Sequence, residues 1–272
     1  MKGDRHSVSG ADEVSIGLMS AGSGPALLLV HGGMGRIERW EPIWEMLTAR
    51  WRVTAMDRRG RGSSGDSKPY SITKEYEDIA AVATLLTEDQ GSPVDVFAHS
   101  HGATCTLGAA ALGAPFRRVA LYEPAGPETV PSDWVERATG FVATGQAGRA
   151  MFSFLTEVIG LTVEQVELLK SSAGAGDVLP IVSATLPREA HALSGVDLGS
   201  IAATVTRPVL LLLGAASPEW AGHITRALVA TLPHSVLVVL PGQGHEAIDA
   251  APELVAGELQ RFFENESLVA RT

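Results

Sequence analysis

Six short apolar runs, separated by longer stretches of helical periodicity, organise the chain. They are ALLLV (26–30), RVTAM (52–56), VDVFA (94–98), RVALY (118–122), PVLLLL (208–213) and SVLVVL (235–240). Each is close to continuous and bounded by Gly, Pro or polar residues, the pattern of a strand covered on both faces in a parallel sheet. Helical spacing falls between them at 40–49, 73–89, 102–112, 219–231 and 252–264. Strands and helices alternating in this way predict an α/β fold: a mostly parallel sheet with helices on both faces. The segment VSIGLMSAG (14–22) predicts antiparallel strands at one edge.

Between Pro124 and Thr206 the strand-like runs stop. A structureless loop of that length does not fit a compact domain, so this stretch is expected to hold helices of its own. Ser132 precedes DWVERATGFV, and GRAMFSFLTEVI has helical apolar spacing. TVEQVELLK opens with Thr162 and Gln165 in capping-box spacing. In IVSATLPREAHAL, Pro187 is expected to break the helix in two. The chain thus divides into an α/β core of residues 1–123 and 207–272 and a helical cap, 124–206, inserted between core strands. An ordinary helical subdomain that gates nothing is the competing reading of the insert.

Candidate chemistry concentrates in DVFAHSHGATC (95–105). A serine on a tight strand-to-helix turn needs small residues two before and two after it, because side chains there would strike the neighbouring strand and helix. Ala98 and Gly102 occupy those positions around Ser100. Read alone, the match is moderately specific, and an ordinary helix N-cap serine is a fair competitor. A second segment, LLLVHGGMG, runs a strand into a glycine-rich turn at 31–35. Glycines there let backbone N–H groups face a substrate, and an oxyanion needs two such donors. Gly33 is the first candidate from this loop and Met34 the second, with the His101 N–H completing the pair; a plain tight turn is the alternative. Third, His245 follows the last apolar run and a glycine-rich loop, a place from which an imidazole can meet Ser100 as general base.

With HGGMG, MDRRGRGSS, AHSHGA, LYEPAG, LLLLGAASPEW and GQGH in this order, the chain resembles the α/β-hydrolase superfamily over nearly its whole length. That resemblance implies a core sheet of about eight strands, a mobile cap and a Ser–acid–His triad. It also implies that Asp57 to Gly60 form a structural turn without a catalytic role. The chain departs from the common pattern at the acid, whose usual position before the proline of LLLLGAASPEW is Ser217. Glu123, at the end of RVALYEPAG and 23 residues after Ser100, is the best replacement, since some branches of the superfamily carry the acid there. Glu219 and a neutral dyad remain open, and Asp249 is expected to cap the last helix. A serine at the turn argues against epoxide hydrolysis and haloalkane dehalogenation, which the superfamily performs with an aspartate.

Composition adds limits. Lys and Arg total 21 against 31 Asp and Glu, a formal charge of −10, which disfavours nucleic acid or an anionic membrane as partner. Cys105 is the only cysteine, so neither an intrachain disulfide nor a cysteine-built zinc site can form. The opening MKGDRHSVSGADE lacks a signal-peptide core, and PVLLLLGAA is too short to span a bilayer. The expectation is a cytoplasmic serine hydrolase that needs no cofactor or metal and cleaves an ester, lactone or thioester of a small to medium apolar molecule. Carbon–carbon bond hydrolysis, a non-hydrolytic natural-product reaction and a ligand binder without turnover are the alternatives. Homo-oligomer formation is left open.

Overall fold

The computed structural model describes residues 1–159, 162–164, 166–167 and 175–264, with side chains described at 185 and beyond in the last segment. Eight strands form one sheet: β1 (Asp4–Ser9), β2 (Ser15–Ala21), β3 (Ala26–Val30), β4 (Arg52–Met56), β5 (Val94–His99), β6 (Phe116–Tyr122), β7 (Val209–Gly214) and β8 (Ser235–Leu240). Their order across it is β1-β2-β4-β3-β5-β6-β7-β8. β1 and β2 pair antiparallel, as do β2 and β4; every other pair is parallel. The mostly parallel sheet is the one expected from the apolar runs, and its eight strands in an α/β hydrolase arrangement are what the resemblance implies.

The strands are apolar on both faces because both faces are covered. Along β3, Leu28 and Val30 face one core with α2 (Ile72–Gln90), α3 (His101–Ala111) and α8 (Glu219–Thr231). Leu27 and Leu29 face the other, with α1 (Glu41–Thr48) and α10 (Pro252–Glu264). The period-two alternation of Cβ directions distributes one leucine run between two cores. The two edge strands are the exceptions. β8 is apolar but only partly covered, with Val239 exposed. In β1, DRHSVS is polar and exposed, so that its place at the sheet edge, not its hydrophobicity, makes it a strand.

Between β6 and β7 the described helices are α4 (Ser132–Ala143), α5 (Ala147–Ser153) continuing as a π-helical turn at Phe154–Val158, α6 (Ala175–Ser194) and α7 (Leu198–Ala203). Trp134, Val135, Met151, Phe154 and Leu186 give this insert an apolar cluster of its own. Pro187 does not divide α6, which runs through it. The lost backbone hydrogen bond is offset by a face that buries Leu186, Glu189, Ala190 and Leu193. Gln165, half of the expected capping box, lies outside the described residues. Asp249 belongs to a short helix, α9 (Ala247–Ala250), and is bonded to Arg39 instead of capping α10. Among the described residues no helix is long and apolar enough to cross a membrane.

Parallel registry aligns the strand ends. Val30 pairs with Ala98, His99 with Tyr122 and Tyr122 with Leu212. The segments leaving β3, β5, β6, β7 and β8 therefore emerge along one edge of the sheet, where α/β proteins bind ligands.

Candidate active site

Ser100 joins β5 to α3 with φ 54° and ψ −124°. Its N–H donates to the Tyr122 carbonyl at 2.9 Å, and its own carbonyl accepts from Ala103 (2.9 Å) and Ala125 (3.3 Å). Besides Asp12 and Glu13, which lie on an exposed turn, Ser100 and Glu123 (φ 45°) are the only non-glycine residues with positive φ among those described. Such backbone costs of order 1–3 kcal/mol per residue and persists where its surroundings enforce it. The small residue at 102 is a packing requirement: a Cβ there would lie 2.2 Å from the His31 carbonyl oxygen.

The turn after β3 is held from beneath. His31 Nδ1–H donates to the Gly32 carbonyl at 2.9 Å, and its Nε2 accepts the Arg58 N–H at 3.1 Å. Burial, reinforced by Arg58, holds this imidazole neutral, its pKa well below the ordinary value. Gly32 O also accepts the Gly35 N–H at 3.1 Å. A trans peptide points N–H opposite to C=O, so the Gly33 N–H is turned away from these partners. The Gly33 carbonyl is in turn gripped by Arg61, from Nη2 at 2.7 Å and Nε at 3.2 Å, which orients the Met34 N–H away from Arg61. Gly33, Met34 and His101 all line the cavity above Ser100. The His101 ring is buried with Nε2 unpartnered, and burial followed by Arg58 pushes its pKa down to about 3.

His245 follows β8. Its Nδ1–H donates to Glu123 Oε2 at 2.6 Å, and the Glu123 side chain is fully buried. The other oxygen, Glu123 Oε1, accepts the Gly214 N–H at 2.7 Å and the Ser217 hydroxyl. The serine at the usual acid position thus steadies the carboxylate that reaches His245. Glu219 is exposed at the start of α8 and makes no hydrogen bond to His245. Three aromatic residues to which the sequence assigned no part in the site brace this imidazole. His99 Nε2–H donates to the His245 carbonyl at 3.1 Å, Tyr122 OH donates to the Gly244 carbonyl, and Trp220 meets the His245 ring edge-on at 5.3 Å. Their only sequence signal is an aromatic residue at or just beyond a strand end, which is commonplace.

The turn after β4 supplies structure. Asp57 accepts from the Ile37 and Ser63 amides, both at 2.8 Å, and Arg59 holds Asp78 of α2 through two nitrogens at 2.7 and 2.9 Å. Glu75, His101 and Cys105 bring potential ligand atoms within 4.8 Å of one another. Arg58 already bonds Glu75 at 2.8 Å, and burial keeps the Cys105 thiol protonated, so the cluster reads as an ion-pair network and not a cation site.

A cavity of ≈ 310 Å³ joins Ser100, His245 and the glycine turn. Its apolar wall includes Met34, Val130, Phe154, Ile159, Leu186 and Leu193, mostly from the insert. An imidazole with one nitrogen on a buried carboxylate, lining one cavity with a serine on a strained turn and a glycine turn, offers the groups that acyl transfer needs. The profile of the alpha/beta hydrolase family matches residues 27–258. The chain belongs to the alpha/beta hydrolase family.

This alpha/beta hydrolase is 25% identical over 266 residues to the 2-(acetamidomethylene)succinate hydrolase of Mesorhizobium japonicum, covering 92% of each chain. It is 28% identical over 255 residues to the pimeloyl-[acyl-carrier protein] methyl ester esterase of Xanthomonas campestris pv. campestris, covering 89% of this chain and 96% of that one. The crystal structure of an alpha/beta hydrolase from Sphaerobacter thermophilus superposes with a TM-score of 0.81 at 33% identity, over 95% of this chain and all of the other.

Proposed function

We propose that this alpha/beta hydrolase is a serine hydrolase that cleaves an ester, lactone or thioester of a small to medium apolar molecule through an acyl-enzyme. The observation that carries the reading is the 2.6 Å hydrogen bond from His245 Nδ1 to the buried Glu123 carboxylate. It fixes the tautomer, leaving Nε2 to take the Ser100 proton. Ser100 Oγ then attacks the carbonyl carbon, and the Gly33 and His101 amides hold the oxyanion, with Met34 the alternative loop donor. Collapse expels the alcohol or thiol, which takes the proton from His245. Water activated by the same nitrogen attacks the acyl-enzyme and releases the acid. The methyl esterase named above is consistent with ester chemistry.

Residues 124–206 act in this proposal as a cap whose apolar side chains receive the acyl group, and residues 1–123 and 207–272 as the core. The setting is cytoplasmic. The carboxylate on Nδ1, which turnover needs and binding does not, supports a hydrolase over a ligand binder without turnover.

The test is intact-mass analysis and peptide mapping after treatment with a fluorophosphonate. One adduct on Ser100, lost in Ser100→Ala together with ester turnover, is the expected result. Folded protein that takes no adduct would overturn the mechanism.

A further inference from the structure

Four charged side chains line the cavity: Arg39, Glu189, Glu246 and Asp249. The cation among them is committed, with Arg39 bonded to Glu246 at 2.9 Å and Asp249 at 2.6 Å. Two further guanidiniums stand behind the wall. Arg58 bonds Glu75 at 2.8 Å and Glu189 at 3.0 Å, and Arg61 forms an ion pair with Glu189 at 2.8 Å. All four side chains are 0–1% exposed. Two cations meet two carboxylates, and the site is neutral.

Glu189 differs from its three partners in origin. Arg58 and Arg61 belong to the turn after β4 and Glu75 to α2, whereas Glu189 reaches in from α6. It is flanked on α6 by Leu186, Ala190 and Leu193, which line the same cavity. A Cβ built on Gly33 would be 3.8 Å from its Oε2. The carboxylate therefore arrives from the substrate side and seats beside the glycine turn.

We propose that Glu189 is a specificity-determining residue: it fills, from within the chain, an anion site that Arg61 and Arg58 would otherwise present to the cavity. The protein accordingly accepts neutral acyl groups and rejects those bearing a carboxylate. An incoming carboxylate finds no free cation there and would bury an uncompensated charge, which costs far more than burying a methyl group. The statement about acyl groups rests on the hydrolase reading; the anion site does not.

The experiment has one readout for each. Thermal unfolding of wild type, Glu189→Ala, Glu189→Gln and the double variant Glu189→Ala/Arg61→Met is followed in sodium propionate and in sodium chloride of equal ionic strength. Propionate is expected to raise the Tm of Glu189→Ala by several degrees over chloride, while wild type and the double variant show no difference. Should Glu189→Ala not fold, Glu189→Ser, which also empties the site, serves in its place, while Glu189→Gln, which keeps the shape and still fills the site, is expected to show no propionate effect. Equal Tm in both salts for the single variant, or the same propionate effect in wild type, overturns the site. Hydrolysis of 4-nitrophenyl pentanoate is then compared with that of mono(4-nitrophenyl) glutarate, which differs by one terminal carboxylate. Wild type is expected to prefer the pentanoate by roughly a hundredfold in kcat/KM, and the Glu189 variant to narrow that ratio by at least about tenfold. An unchanged ratio overturns the specificity role. Loss of hydrolysis of both esters in wild type, with propionate rescue intact, would sink the hydrolase reading and leave the anion site standing.

Discussion

Glu123 carries the most chemical weight for its size. Its backbone is forced to φ 45°, its carboxylate is fully buried, and its two oxygens divide between His245 and the Gly214–Ser217 turn. A buried carboxylate is tolerable because every partner on it is a donor. Glu123→Gln keeps the shape but can offer N–H where Nδ1–H must donate, which favours the wrong tautomer. The expected outcome is a fall in kcat of about 10³- to 10⁴-fold with KM little changed. Steady-state kinetics on any ester the wild type cleaves would check it, and a loss of less than about tenfold would remove Glu123 from the mechanism. Glu123 was legible as a candidate because a charged residue ending an apolar strand run has no packing reason to be there. Its choice over Glu219 rested on the resemblance, since in the linear chain both lie within reach of a flexible loop histidine.

The elements α3 and β3 approach so closely that one atom decides their packing. At an ordinary helical site, Gly→Ala gains about 1 kcal/mol. At Gly102 the added Cβ would lie 2.2 Å from the His31 carbonyl and 2.7 Å from that of Val30, both backbone and unable to swing aside. Overpacking of this kind costs roughly 1–3 kcal/mol or more, so it outweighs propensity. Gly102→Ala is expected to lower stability by about 2 kcal/mol in urea unfolding and to disturb the Ser100 turn. A stabilised variant would show that α3 can move off β3 freely. The strands were visible from apolar runs because burial on both faces leaves a continuous signature. Two features escaped that logic. β1 has no hydrophobic signature because it is an exposed edge, and α6 outlasts Pro187 because tertiary burial outweighs one missing hydrogen bond.

The whole molecule buries three neutral histidines around one site, and this couples its stability to pH. His31, His99 and His101 all have their pKa driven down by burial, with Arg58 next for His31 and His101 and nearby His245 next for His99. Each binds its proton in the unfolded chain near pH 6.5 but in the folded chain only far lower, at about 3 for His101. Folding therefore excludes protons below pH 6.5, and stability falls as pH drops through that value. Each histidine adds about 1.4 kcal/mol per pH unit to the slope once it is protonated in the unfolded state. Asp57, Asp78 and Asp95, raised by burial, act with the opposite sign, but only in the carboxylate range. The expected result is steep loss of stability between pH 6.5 and 5, measured by denaturant unfolding, with a shallower slope in His101→Gln. A flat profile over that interval would mean that these rings are not held neutral.

Periodicity and steric demand are local, and they sufficed for the strands, the helices flanking them, the serine turn with its small neighbours and the loop histidine. Each of those features is imposed on a residue by its own φ/ψ or by its own burial. The pairing of Glu123 with His245, the support of that carboxylate by Ser217 and the buried set of Arg58, Arg61, Glu75 and Glu189 join positions up to 131 residues apart. Parallel registry of β5, β6 and β7 and the docking of α6 create those contacts. Charge complementarity across such distances leaves no periodic trace in the chain, so tertiary structure alone decided it.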